Sequence, residues 1–280
     1  MRRVILNADD FGLTEGVNRA IGELAAAGVL TSATLMASGP ACDHAVGIAH
    51  MHPQLGVGCH VVLLDGNPVS QPQQVSTLVG RSGSLRDSLA HFVFDLQRGK
   101  IHAADIEHEA TAQIRKLQAA GIRVTHIDTH KHAHMLPRVL LPLLRAAVAC
   151  NVHAIRNPFE PSWSTRLTPA PLLRRMQIAL LRHACHARFL HMVQHHGLHT
   201  TDGTLGIAAT GTLTAKTPTA LLNHAPPGTW ELVLHPGYDD AQLAATRTRL
   251  NASREIERRA LLAAIPQLTD VQFIRYDELA

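Results

Sequence analysis

Short apolar runs rich in β-branched residues alternate with longer helical patterns along this chain, and no other feature constrains the fold as tightly. "RRVILNADD" (2–10) reads as a buried strand, and "TEGVNRAIGELAAAGVL" (14–30) as the helix that follows, with Thr14 as its N-cap. "TSATLMASG" (31–39), "GVGCHVVL" (56–63), "GIRVTHIDTH" (121–130), "VHAIRNP" (152–158) and "TWELVLHPG" (229–237) repeat the strand pattern, and "VQFIRYDEL" (271–279) closes the series. Helical stretches "ACDHAVGIAHMHP" (41–53) and "LPRVLLPLLRAAVACN" (136–151) fall between them. Such alternation implies βαβ units and a parallel sheet. About seven or eight units in one chain favour an α/β fold of the distorted (β/α) TIM-like barrel type over an open sheet. The absence of G-x-G-x-x-G after the first strand counts against a dinucleotide fold. We expect a single domain over residues 1–280. Residues 65–100, rich in Gly, Pro, Ser and Gln, read as a long loop over one mouth. Residues 161–200 read as a basic, apolar helical insertion.

In a parallel barrel the C-terminal ends of the strands converge on one mouth, where barrel enzymes build their sites. Here each apolar strand finishes in ionisable residues. Asp9 and Asp10 end the first and His60 lies near the end of the third. His126, Asp128 and His130 share one face of the next at i, i+2, i+4, and His235 ends "ELVLH". The chain holds 20 histidines, so "THIDTHKHAH" (125–134) alone proves little; its strand-end position is what raises it above abundance. Imidazole and carboxylate suit a borderline divalent cation, and a catalytic site uses three protein ligands with one position open to water. A second carboxylate to take the water's proton and a histidine to protonate a leaving group complete a kit for amide or ester hydrolysis.

Composition narrows the alternatives. Apolar residues make up 46% and charged residues 17%, and the net charge is +4 without a dense Lys/Arg block, so nucleic-acid binding is not indicated. The four cysteines, at 42, 59, 150 and 185, show no C-x-x-C spacing. No signal-peptide pattern and no uncharged apolar stretch of about 18 residues is present, so the expectation is a cytoplasmic protein with reduced thiols.

The segments "NADDFG" (7–12), "TSATLM" (31–36), "GVGCHVVL", "THIDTHKHAHMLP" (125–137) and "LHPG" (234–237) resemble, in order and spacing, the YdjC-like carbohydrate deacetylases. That resemblance implies a divalent metal, zinc or magnesium, and removal of N-acetyl groups from amino sugars. It assigns Asp10, His60 and His130 as ligands, Asp9 as base and His235 as the acid that protonates the amine. Asp9 and Asp10 remain exchangeable, because adjacent residues on a strand point oppositely. "MASGPA" (36–41), "LLDGNPV" (63–69), "RNPFEP" (156–161) and "GIAATG" (206–211) resemble the hopanoid biosynthesis-associated branch, which implies an N-acetylglucosaminyl hopanoid substrate.

His126 and Asp128 read as supports that fix ligand orientation and tautomer. His134 is either a substrate contact or a polar turn residue. Arg156 either binds substrate or forms a salt bridge at the barrel rim. Lys131 reads as a solvated lysine, and the histidines between 183 and 199 as surface residues. Segment 171–194 is either an amphipathic helix leaning on a membrane surface, with a glycolipid substrate, or an outer barrel helix buried on one face. A soluble chitooligosaccharide-type substrate, a metal-dependent phosphoesterase and a histidine-rich metal-binding protein stand as alternatives, and a homodimer stays open.

Overall fold

The computed structural model describes residues 1–279. In chain order its elements are β1 (Arg2–Phe11), α1 (Glu15–Ala26), β2 (Ser32–Leu35), α2 (Cys42–Met51), β3 (Gly56–Val61), α3 (Leu89–Gln97), α4 (Ala103–Ala119), β4 (Val124–Thr129), α5 (Pro137–Ala149), α6 (Ser162–Arg166) and α7 (Leu172–His195). β5 (Gly203–Leu205), α8 (Lys216–His224), β6 (Gly228–Leu234), α9 (Ala241–Ala244), α10 (Asn251–Ala264) and β7 (Gln272–Phe273) follow.

All strand pairings within the sheet are parallel, in the order β4-β3-β2-β1-β6-β5, with β7 pairing the start of β1. Isolated parallel bridges, Ile127 to Ile155 and Ala154 to His199, extend the ladder from β4 towards β5, so the sheet curls into a TIM-like half-barrel with flanking helices. The expected strand 152–158 thus survives only as these bridges. The stretch 65–100 is more ordered than a loop, since it carries α3, whose Phe92 and Leu96 are buried.

Local chemistry accounts for the elements. β1 has apolar residues on both faces, as a strand covered by helices requires, and everything from Val4 to Phe11 is buried. Thr14 caps α1, its side chain accepting from the Val17 amide at 3.1 Å. The barrel interior, unlike the outer layer, is polar. The pleat points Ile5, Asn7 and Asp9 inward from β1, His126 and Asp128 from β4, and Glu231 from β6. Near the N-terminal end the His126 ring stacks on Tyr276, with centroids 3.7 Å apart and planes 12° apart. Gly58 makes this possible, because a Cβ there would lie 2.5 Å from His126 Cε1.

Candidate metal centre

At the C-terminal mouth the strand ends bring Asp10, His60 and His130 together. Asp10 Oδ1 lies 3.5 Å from His60 Nε2 and 3.3 Å from His130 Nδ1, and the two nitrogens are 3.3 Å apart. For a tetrahedral ion with bonds of about 2.0–2.1 Å, neighbouring ligand atoms are about 3.3–3.4 Å apart. An octahedral ion at the same bond length needs about 2.9 Å. The donor triangle, with edges of 3.3–3.5 Å, is close enough for one divalent cation to reach all three donors.

The backbone explains why both aspartates reach the mouth. The β1–β2 register shifts between Ala8 and Phe11, and Asp10 has φ 62°. A bulge with a left-handed aspartate breaks the strict alternation of the pleat and turns two consecutive carboxylates towards the interior. Both are nearly fully buried. The turn after β4 is strained in the same way, with Lys131 at φ 56° and His132 at φ 53°.

Two of the three ligand candidates are held from behind. Asp128 Oδ1 lies 2.7 Å from His60 Nδ1, so with the proton on that nitrogen His60 presents its Nε2 lone pair to the mouth. Burial pushes His60 down, but the Asp128 charge and hydrogen bond, helped by Asp9 and Asp10, overcome it and raise the pKa to about 9. A proton and a metal ion thus compete for one nitrogen. Arg254 of α10 places Nη2 2.5 Å from Asp10 Oδ2. Burial opposes ionisation of Asp10, yet Arg254, His130 and His60 hold it well below the usual carboxylate range.

Asp9 sits beside this triangle in a different environment. Arg156 donates to both its oxygens, at 2.9 and 2.6 Å, and Asn7 and Thr34 donate to Oδ1. Asp9 stays ionised despite burial, chiefly because of Arg156. Its Oδ2 faces His235 Nε2 at 3.8 Å. Burial lowers His235 to about 4 against the pull of Asp9 and Asp10, so its ring is neutral at rest. The His235 amide donates to Glu257 of α10 at 2.6 Å.

Arg156 is fully buried and bridges Asp9, Asp128 and Glu231, so it is an interior ion-pair hub rather than a rim salt bridge or an exposed substrate contact. Asp9, His60 and Asp128 form a second grouping of possible metal donors. There, however, the guanidinium already lies against both carboxylates, at 2.6 Å from Asp9 and 2.5 Å from Asp128, and takes the place of a second cation.

His126 does not reach the triangle. Its Nε2 meets Asn7 Oδ1 at 3.1 Å and its Nδ1 meets Thr125 Oγ1 at 2.9 Å. His134 is buried with Nδ1 2.7 Å from Thr129 Oγ1, and burial keeps it neutral. Lys131 pairs with Asp65 at 2.7 Å. Beside this pair a cleft of about 390 Å³ is lined by Asp65, Asn67, Ser82, Ser84, Asp87 and Arg247. The larger cleft, about 470 Å³, lies at the opposite end of the barrel around His50, Val57, Thr125 and Arg275, away from the ionisable strand ends.

Sequence reasoning passed over Glu231, Arg254, Glu257 and Tyr276. Glu231 was open to detection, as a lone carboxylate in the apolar strand "WELVL" needs a buried partner. Arg254 and Glu257 lie in "NASREIERRALLAA", where charges look like a solvated helix face.

Comparison with known proteins gives the family and the fold. The family model described as "YdjC-like protein" matches residues 3–267. A carbohydrate deacetylase of Thermoanaerobacter pseudethanolicus is 29% identical over 261 residues, covering 93% of this chain and 91% of that protein. One from Brevibacillus brevis is 43% identical over 157 residues, 56% of this chain and 60% of the relative, so that match spans little more than half of either. Among solved structures, a protein of Enterococcus faecalis described as a candidate cellobiose-phosphate cleavage protein superposes with TM-score 0.75 at 23% identity, covering 100% of this chain and 99% of that one. A lactam utilization protein of Thermus thermophilus gives 0.54 at 16% identity, covering 98% of this chain and 99% of that one. The chain belongs to the YdjC-like family.

Proposed function

We propose that the protein is a metal-dependent carbohydrate N-deacetylase, with one divalent ion held by Asp10, His60 and His130. The observation that carries the reading is the triangle of Asp10 Oδ1, His60 Nε2 and His130 Nδ1, whose edges of 3.3–3.5 Å let one ion reach all three donors, two of them imidazoles that suit zinc. When bound, the ion supplies Lewis-acid polarisation of the acetyl carbonyl and a water of lowered pKa.

The chain's own groups do the proton work. Asp9 Oδ2 accepts the proton of the attacking water. Arg156 keeps Asp9 ionised beforehand and so makes it a weak holder of that proton. His235 Nε2, 3.8 Å away and the more basic of the two, takes the proton on and delivers it to the departing nitrogen, leaving acetate and a free amine. The polar cleft beside Lys131 and Asp65 offers carboxylate, amide and hydroxyl groups to sugar hydroxyls. The carbohydrate deacetylases among its relatives support a sugar substrate. The guanidinium seated where a second cation would go speaks for one ion, and so against a two-metal phosphoesterase.

Within that reading we favour an N-acetylglucosaminyl lipid, in keeping with the hopanoid-branch motifs, and a cytoplasmic protein working at the membrane's inner face. The test is acetate release by metal-loaded protein from an N-acetylglucosamine oligosaccharide and from an N-acetylglucosaminyl lipid. Release from the lipid alone supports the full reading, and release from the soluble sugar keeps the deacetylase and removes the lipid. No release from either, with metal bound, removes the deacetylase.

A further inference from the structure

α7 is an unusual outer helix. Across its 24 residues only Phe189 and Val193 are fully buried. Leu172, Met176 and Leu180 recur every four residues, with Leu173 beside them, and all four are between 60% and 71% exposed. Leu190 lies five turns from Leu172 and continues the line, with Ala184 and Ala187 between. Of the exposed large apolar side chains, half belong to this one helix. A contiguous apolar stripe facing solvent marks an interaction surface.

Charge identifies the partner. Residues 161–201 contain five arginines, six histidines and no aspartate or glutamate. Arg174, Arg175 and Arg182 donate to the carbonyls of Ile207, Thr168 and Phe159, which anchors the helix on its protein side. Among the described residues none of the five arginines forms an ion pair. A second copy of the chain docking by a two-fold axis through α7 would bring two such positively charged segments together, with no carboxylate within 161–201 to relieve them. An exposed apolar stripe with exposed Arg188 beside it, exposed His183 and His191 on it and no carboxylate within 161–201 suits an anionic lipid surface instead.

Position gives the docking its use. Phe159 and Ile207 follow the strand segments at 154–156 and β5 on their C-terminal sides, and the Phe189 ring lies 6.5 Å from that of His134 in the turn after β4. α7 therefore lies at the rim of the mouth that holds Asp10, His60 and His130. We infer that the outer face of α7 is a peripheral docking surface for an anionic lipid bilayer, set so that the mouth opens beside the membrane. The docking stands apart from the deacetylase reading; only its consequence, a substrate presented from the bilayer, rests on that reading.

The test is co-sedimentation of the full chain with vesicles of equal parts phosphatidylcholine and phosphatidylglycerol, and with pure phosphatidylcholine, beside the double variant Leu173→Glu/Leu180→Glu. Both positions are exposed, so the variant should keep the wild-type thermal midpoint and metal content. We expect binding to the anionic vesicles, weakened at about 0.5 M salt, and reduced at least about tenfold in the variant. Absence of binding to anionic vesicles, or equal binding by the variant, would overturn the proposal. A concentration-dependent wild-type dimer that fails to bind vesicles and becomes a monomer in the variant would assign the stripe to a second copy instead. None of these outcomes depends on catalysis, so failure here is distinguishable from failure of the deacetylase reading.

Discussion

Replacing Arg156 with methionine takes one buried positive charge from among three buried carboxylates, Asp9, Asp128 and Glu231. Methionine keeps much of the volume and none of the donors. Removing one partner of a buried ion pair costs about 3–5 kcal/mol, because the remaining charge is left without compensation. Three carboxylates lose their shared cation but keep their other donors, so the loss belongs within that range near neutral pH. Its pH dependence follows from the pKa directions. In the wild type Asp9 is depressed, so its contribution is present above its unfolded pKa and is lost as pH falls through the folded value. In the variant Asp9 keeps the Asn7 and Thr34 donors and the His60 charge but loses its strongest opposing cation, so its pKa rises, and Glu231, already raised by burial, rises further. The raised Glu231 makes the variant lose stability as pH climbs above about 4. The gap between the two proteins should widen from about pH 4.5 to pH 8. Urea unfolding followed by circular dichroism at both pH values reads this directly, and a 3–5 kcal/mol loss corresponds to a midpoint shift of about 1–2 M. A loss below about 1 kcal/mol at pH 8, or the same loss at both pH values, would refute the reasoning.

Asp128→Asn removes the anion behind His60 Nδ1 and should weaken zinc affinity about 10- to 100-fold by calorimetry with the fold retained; unchanged affinity would remove Asp128 from the centre. Gly58→Ala should cost about 1–3 kcal/mol in urea unfolding, because the added methyl meets the His126 ring stacked on Tyr276. Glu257 is raised by burial to about 7, so wild-type stability contains a penalty that grows as pH rises from the unfolded value towards 7. Glu257→Gln, which keeps an acceptor for the His235 amide, should therefore gain on the wild type between about pH 5 and pH 8; a difference flat in pH contradicts that assignment.

Much of the site is legible in the sequence because strand periodicity fixes where side chains point. Asp128 and His126 share a face by spacing alone, and His60 and His235 end apolar runs that converge in a parallel barrel. The division between Asp9 and Asp10 is not legible, since it depends on the β1 bulge and on a left-handed Asp10, neither of which has a residue signature when the residue is not glycine. Arg156 sits in "HAIRNP", which pairs only through isolated bridges, so nothing in its neighbourhood announces that it neutralises three interior carboxylates. β5, of three residues, is too short to show a period. Arg254 and Glu257 reach Asp10 and the His235 amide from α10 late in the chain, and long-range placement of an ordinary amphipathic helix is a property of the assembled fold rather than of the helix. For α7 the sequence leaves open a one-sided outer helix or a surface amphipath; the structure buries Phe189 and Val193 on one side and leaves Leu172, Leu173, Met176 and Leu180 exposed, which is where the docking proposal begins.

The most direct test of the central claim is zinc stoichiometry by calorimetry on metal-stripped protein, for the wild type and for His130→Ala. The account predicts one tight ion per chain in the wild type and none in the variant. Two or more ions per chain, or an unchanged single ion in His130→Ala, would contradict it and return the histidine-rich 183–199 region, or a two-metal centre, to consideration.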